Sequence, residues 1–100
     1  MSSLLLLSGD LVWGLRMAIT RIATEQVTVV LLDRAAAAAR PGHTDAEAVA
    51  AAVAAGATVV AHDDALRRRG IRQVAEGIGV VDLDRITDLL VEGADQVAWL

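Results

Sequence analysis

The sequence predicts an α/β protein, a three-layer α/β/α sandwich around a four-stranded, mainly parallel sheet. Short apolar runs alternate along the chain with helical patterns, turn residues separate them, and 55% of the 100 residues are apolar. With right-handed crossovers, the predicted strand order is 2-1-3-4. A chain of this length can bury one core without disulfides, so we predict a single domain, 1–100.

The first two strands flank a helix. Leu4–Leu7 is a continuous apolar run, typical of a strand that is buried on both faces. The helix over Leu11–Ala23 is predicted from apolar residues spaced three and four apart, with Asp10 as its N-cap. Val27–Leu32 is rich in β-branched residues and predicts the second strand.

An alanine-rich region leads to the third strand. Ala35–Ala39 has high helix propensity and predicts a short helical piece before a Pro-Gly break. Thr44 and Glu47 have the spacing of a capping box, so a helix is expected to begin there and to stop at Gly56. Ala57–Ala61 is the predicted third strand.

Acidic turns precede the last two helices. Asp63 or Asp64 is the expected cap of a helix that runs to Arg69, and residues 71–77 are predicted to be irregular. Ile78–Val81 is the predicted fourth strand.

The last predicted helix spans Arg85–Val91. Asp82 or Asp84 is its expected cap, and Gly93 its expected end.

Charge and composition exclude several classes of function. The net charge of −4 argues against a general nucleic-acid binder, because neutralising phosphates dominates such affinity. The chain has no cysteine, which excludes disulfides, thiolate metal sites and a cysteine nucleophile. No apolar run approaches the ~20 residues that cross a bilayer, and a basic signal-peptide region is missing, so we expect a cytoplasmic protein without membrane contact.

Four segments carry a resemblance to a known family. In order and spacing they resemble the DsrE/DsrF/DsrH superfamily of small sulfur-relay proteins, nearest the DsrH/TusB branch. The matching segments are Val29–Ala35, Val60–Gly70, Val80–Asp84 and Gln96–Trp99.

The resemblance implies a small α/β/α sandwich in an oligomer that handles sulfur. TusBCD-like complexes pass persulfide sulfur toward 2-thiouridine in tRNA, and DsrEFH-like complexes act in sulfur oxidation. The family's working cysteine, carried by DsrE-type subunits, matches this chain at about His62, and a cysteine of some DsrH-type members would lie around Ser8 to Asp10. Neither position holds a thiol.

Persulfide transfer requires a thiolate, so the chain is expected to be a non-catalytic subunit or a stand-alone relative that acts through protein–protein contacts. The implied partners are DsrE/TusD-like and DsrF/TusC-like subunits, or further copies in a homo-oligomer such as a dimer.

Polar residues after the first three strands form a candidate strand-end pocket, since ligands gather at the carboxyl ends of parallel strands. The alternative function is therefore a small anion- or nucleotide-binding module. Activity with His62 as general base is a weaker reading, and helix capping explains the aspartates without a ligand or metal. His43 is predicted to be an ordinary loop residue. The pocket residues are Ser8, Gly9, Asp10, Asp33, Arg34, His62, Asp63 and Asp64.

Two tryptophans are candidate interface residues. Trp13 lies off the apolar stripe of its helix, and Trp99 lies in a tail that also carries Val97. Val97 and Trp99 are too apolar for a tail in free solvent. Exposed tryptophans commonly anchor protein interfaces, although packing in the core is the rival interpretation.

Overall fold

The computed structural model describes residues 2–92 and 94–100. Within them the chain alternates between strands and helices from end to end. The strands are β1 (Ser2–Leu7), β2 (Gln26–Leu31), β3 (Thr58–His62), β4 (Ile78–Val81) and β5 (Gln96–Trp99). The helices are α1 (Leu11–Ile22), α2 (Ala46–Ala55), α3 (Asp63–Arg68) and α4 (Leu83–Val91), with a 3₁₀ segment over Asp33–Ala39.

All neighbouring strands are parallel, and the sheet order is β4-β3-β2-β1-β5. The predicted α/β class is confirmed, but the predicted order 2-1-3-4 and the count of four strands are wrong. Order 2-1-3-4 would leave β2 at a sheet edge. Val29, Val30 and Leu31 are fully buried, which is what a central strand with both faces covered requires.

The fifth strand is formed by the tail that the sequence analysis left without structure. Gln96–Trp99 pairs with β1 in the register Leu4 opposite Val97 and Leu6 opposite Trp99. The tail is thus a strand rather than a free end, although Val97 and Trp99 remain largely exposed on it.

The crossovers place most of the helices on one face of the sheet and a single helix on the other. From β1 to β4 the chain always moves in one direction, so right-handed crossovers put α1, the 3₁₀ segment, α2 and α3 on one face, here called the first face. The return from β4 to β5 reverses direction and places α4 on the opposite, second face.

Core packing follows this division. Leu5, Val29 and Val59 face the helices of the first face and belong to a large cluster that includes Leu15 and Val49. The second-face cluster is small because a single helix covers it. Its buried members are Leu4, Leu6, Val30 and Ile86.

The helix starts differ from several predicted caps. Asp82 is confirmed as the cap of α4, since its carboxylate accepts the N–H of Arg85 at 2.8 Å. The helix therefore begins at Leu83, two residues earlier than predicted. Asp10 stands before α1 but its side chain accepts no capping hydrogen bond. The predicted end of α4 at Gly93 lies outside the described residues.

The capping box and the aspartate cap of α3 are wrong. α2 begins after Asp45 rather than Thr44, because His43 Nδ1 accepts the N–H of Asp45 at 3.0 Å and holds that turn. α3 follows β3 without a loop, so the last strand residue, His62, occupies the capping position. Gly56 ends α2 with φ +114°, as predicted for a left-handed C-cap.

Across residues 2–92 and 94–100, no helix combines the length and apolar character needed to cross a bilayer.

Candidate functional site

The three predicted polar segments lie along one end of the sheet. β1, β2 and β3 are adjacent and parallel, so the residues after Leu7, Leu31 and His62 meet at the same edge. This edge is where the sequence analysis placed the strand-end pocket. The segments lie side by side, but of the three only the one at the end of β3 lines a cavity, together with residues that follow β4.

The residues after β3 form a network of charged side chains. His62 Nε2 lies 3.8 Å from Asp63 Oδ1, and the His62 side chain is 18% exposed. Asp63 Oδ1 accepts the N–H of Asp64 at 2.6 Å, and its other oxygen lies 3.3 Å from Arg67 Nη1. Both aspartates are thus engaged by the first turn of α3 and by the arginines one turn later.

The pKa of the Asp64 carboxyl is shifted by its neighbours. A hydrogen bond from the Arg68 guanidinium lowers the pKa of the Asp64 carboxyl below its ordinary value of 3.8, against a smaller opposing effect of desolvation. The positive charges of Arg68, Arg67 and His62 lower it further. The carboxylate is therefore charged at neutral pH, and it pairs with Arg67 and Arg68 of its own helix, α3.

A cavity of about 300 Å³ lies between the ends of β3 and β4. Its lining includes four aspartates, Asp63, Asp64, Asp82 and Asp84, and one arginine, Arg67. Such a surplus of negative charge disfavours an anion. A phosphate or nucleotide therefore has little electrostatic support at this place.

The same cavity offers little for metal binding or nucleophilic catalysis. In the described part of the chain, no three His, Asp or Glu side chains are grouped so that they could hold a metal ion. The lining contains no serine, threonine or lysine, so His62 has a carboxylate beside it but no hydroxyl to activate.

Asp82 and Asp84 were not assigned to the pocket from the sequence, although they were the two alternatives predicted for the cap of the last helix. The signal was available, because the prediction had already placed β4 next to β3, and the residues after adjacent parallel strands share an edge.

The residues after β1 and β2 are held by backbone contacts. The N–H groups of Ser8 and Gly9 both donate to the Leu100 carbonyl, at 2.8 and 3.3 Å. Arg34 reaches toward Gly9, where its Nη2 lies 3.7 Å from the position of an added Cβ. Asp33 has φ +47°, a left-handed conformation that aspartate tolerates. Asp10 and Asp33 are both exposed.

Both candidate interface tryptophans are largely exposed. The side chain of Trp13 is 52% exposed on α1, and that of Trp99 is 68% exposed on β5. Trp99 Nε1 donates to Ser8 Oγ at 3.1 Å, which fixes the indole on the surface. Other large apolar residues are also exposed and were not assigned to an interface from the sequence: Val12, Ile19, Val80, Leu83, Leu90, Val91 and Val97.

Comparisons with known proteins identify the fold. No protein-family model matches the chain, and no curated protein matches it. The crystal structure of the ychN protein from E. coli is similar over 100% of both chains, with a TM-score of 0.85 and 19% identity. A protein of unknown function from Methanobacterium thermoautotrophicum, MTH1491, is similar over 97% of this chain and 96% of its own, with a TM-score of 0.76 and 18% identity. The chain therefore has the fold of these two proteins.

Proposed function

We propose that this chain is a non-catalytic interaction subunit, or a stand-alone relative, of a DsrEFH- or TusBCD-like sulfur-relay assembly in the cytoplasm. The proposal is supported by the sequence resemblance to the DsrE/DsrF/DsrH superfamily and by the five-stranded parallel sheet with helices on both faces. Such an assembly serves tRNA 2-thiouridine synthesis or sulfur oxidation.

The observation that carries the proposal is the end of β3. The family resemblance implies the working cysteine at about this point, and here the chain has His62 followed by two aspartates. An imidazole held beside a carboxylate cannot form a persulfide, since a transferable sulfur needs a thiolate to carry it. With no cysteine in the sequence, the chain contributes to a relay through its surfaces.

Co-expression with a cysteine-bearing DsrE-type subunit tests this function. The two chains should purify together at a fixed ratio, and persulfide labelling followed by mass spectrometry should find the sulfur on the partner alone. His62→Cys is the matched variant, because it places one thiol at the end of β3 in an otherwise cysteine-free chain. If the fold presents this position to sulfur donors, the variant should gain one sulfur atom from a small-molecule persulfide.

Sulfane sulfur covalently attached to the wild-type chain would contradict the proposal as a whole. The subunit role alone would be contradicted if the folded chain bound neither DsrE-type nor DsrF-type subunits and if its removal from a reconstituted relay left sulfur transfer unchanged. That result would leave the stand-alone relative.

A further inference from the structure

An open groove of about 350 Å³ runs along the outer side of α1. Its lining residues recur at the spacing i, i+3, i+4, i+7 and i+8, so they form one stripe of the helix about 12 Å long. The groove shares no lining residue with the cavity at the ends of β3 and β4. It is lined by Trp13, Arg16, Met17, Thr20 and Arg21.

Apolar side chains surround the exposed Arg16. Three or four positions from it along the helix are Val12, Trp13 and Ile19, whose side chains are 40%, 52% and 39% exposed. Met17 forms the inner side of the groove, where it is half-buried and packs against the first-face core. The solvent-facing side of a surface helix is normally polar, whereas this one has apolar side chains on three sides of one cation.

The side chains of α1 carry positive charge only. Its 12 residues include two arginines and no acidic residue, in a chain whose net charge is −4. Arg21 is partly compensated by Glu25, whose Oε1 lies 3.9 Å from its Nη1. The same Nη1 donates to the side-chain oxygens of Ser3 and Gln96, at 3.1 Å each. Within residues 2–92 and 94–100, by contrast, the Arg16 guanidinium has no ion pair and no hydrogen bond.

This uncompensated charge determines what can cover the groove. A partner that buried the apolar side chains would also remove the Arg16 guanidinium from water, which is unfavourable unless an opposite charge meets it. The groove therefore rejects an apolar or basic surface. A carboxylate set among apolar side chains fits, because it forms a charge-assisted hydrogen bond with Arg16 while Trp13 supplies a large contact area.

We propose that the groove binds an acidic amphipathic helix of a partner protein, which packs apolar side chains on Trp13 and Met17 and places a carboxylate against Arg16. A stripe of residues at helical spacing fits the same spacing on a second helix. Tryptophan and arginine are also the residues that most often dominate binding energy at interfaces. The inference rests on the proposed function of acting through contacts with other proteins, and it specifies the surface and the chemistry of one partner.

Two other classes of occupant fit the groove less well. Small ligands bind in concave sites that enclose most of their surface, whereas every residue lining this groove belongs to one helix. Affinity for nucleic acid depends on the number of phosphates that are neutralised, and this groove offers two arginines in a chain of net charge −4. Shape and charge together favour a protein helix.

A display library of amphipathic helical peptides with randomised polar positions tests the charge preference. Peptides selected on the wild-type chain should be enriched in aspartate and glutamate, and their affinity should fall about tenfold or more with Trp13→Ala or Arg16→Glu. Arg16→Glu should itself select lysine and arginine, because the unpaired charge is reversed. Arg72→Glu and Trp99→Ala make the same changes at exposed residues outside the groove, and both should bind the selected peptides as the wild type does.

Several results would overturn the proposal. They are a library that yields no binder, selection without an acidic preference, and binding that survives both groove substitutions. An RNA oligonucleotide that binds the wild type at physiological salt, and that Arg16→Glu no longer binds, would assign the groove to nucleic acid instead. Unchanged far-ultraviolet circular dichroism of each variant shows that any lost binding is not caused by unfolding.

Co-purification with a DsrE-type subunit separates this inference from the proposed function. Acidic peptides that bind in the groove of a chain that binds neither DsrE-type nor DsrF-type subunits would count against the proposed function alone. Co-purification that Trp13→Ala and Arg16→Glu leave unchanged, with no peptide bound in the groove, would overturn this inference alone.

Discussion

Gly14 lies where α1 packs against Leu7 of the sheet, and replacing it with alanine should destabilise the protein. A Cβ at this position would lie 2.4 Å from Cδ2 and 3.0 Å from Cδ1 of Leu7. Leu7 is completely buried, so it cannot move aside into solvent. The new methyl group therefore has to displace either the leucine or the helix.

Two opposing effects set the size of the change. Forcing a methyl group into a packed core costs about 1–3 kcal/mol, and three atoms of the Leu7 side chain lie within 3.4 Å of the new Cβ. Replacing glycine by alanine within a helix returns about 1 kcal/mol through better helix propensity. We expect a net loss of up to about 2 kcal/mol, or a fall in Tm of up to roughly 15 °C for a domain of this size.

Urea and thermal unfolding at one fixed protein concentration measure this change, with Gly9→Ala as the control. At Gly9 the nearest atom to a new Cβ is Arg34 Nη2 at 3.7 Å, so that variant should be close to neutral. Leu7→Ala removes the obstructing side chain, and Gly14→Ala in that background should become neutral or stabilising. Equal effects of Gly14→Ala in both backgrounds would refute the steric argument.

Three further predictions concern a cap, an ion pair and the core. Asp82→Ala removes the hydrogen bond to the Arg85 N–H and should cost about 0.5–2 kcal/mol in urea unfolding, while Asp82→Asn should retain most of it. Asp64 has a lowered pKa, so its interaction with Arg68 stabilises the fold above the ordinary value of 3.8 and is lost as the pH falls through the lower folded-state value; Asp64→Asn should therefore be less stable than wild type at neutral pH and approach it in acid, and a difference that grows in acid would contradict this sign. Leu31→Ala, at a fully buried site in β2, should cost about 2–5 kcal/mol, and a loss below 1 kcal/mol would show that β2 is less tightly packed than described.

Alternation of strand and helix was readable from the sequence because each element has its own period. The run Val27–Leu32 and the spacing of Leu11, Leu15 and Ala18 identify β2 and α1 without any knowledge of their neighbours. The order of the strands was not readable in the same way. A right-handed crossover fixes the face on which a helix lies once the direction is known, but whether β3 lies beside β1 or β2 depends on contacts between distant residues.

β5 and the cavity were missed for different reasons. Gln96–Trp99 has only two outward apolar side chains, Val97 and Trp99, and four residues cannot be told from a loop by periodicity alone. In the cavity, His62 and Asp63 were identified as candidates, but Asp82 had a sufficient structural explanation as a helix cap. Asp82 both caps α4 and lines the cavity. The sequence indicates the cap, because an aspartate precedes a helical pattern, but it does not indicate the cavity.

The ladder between β1 and β5 also affects how the chain reaches its native state. Its partners, such as Ser2 and Asp95, are separated by 93 positions, so closing this loop carries a larger entropy cost than any other strand pairing in the sheet. β5 is therefore expected to dock late, after β1 to β4 have assembled. Until it does, the flank of Leu4–Leu7 is open to solvent, and this interval is when intermediates of the protein are most prone to aggregate.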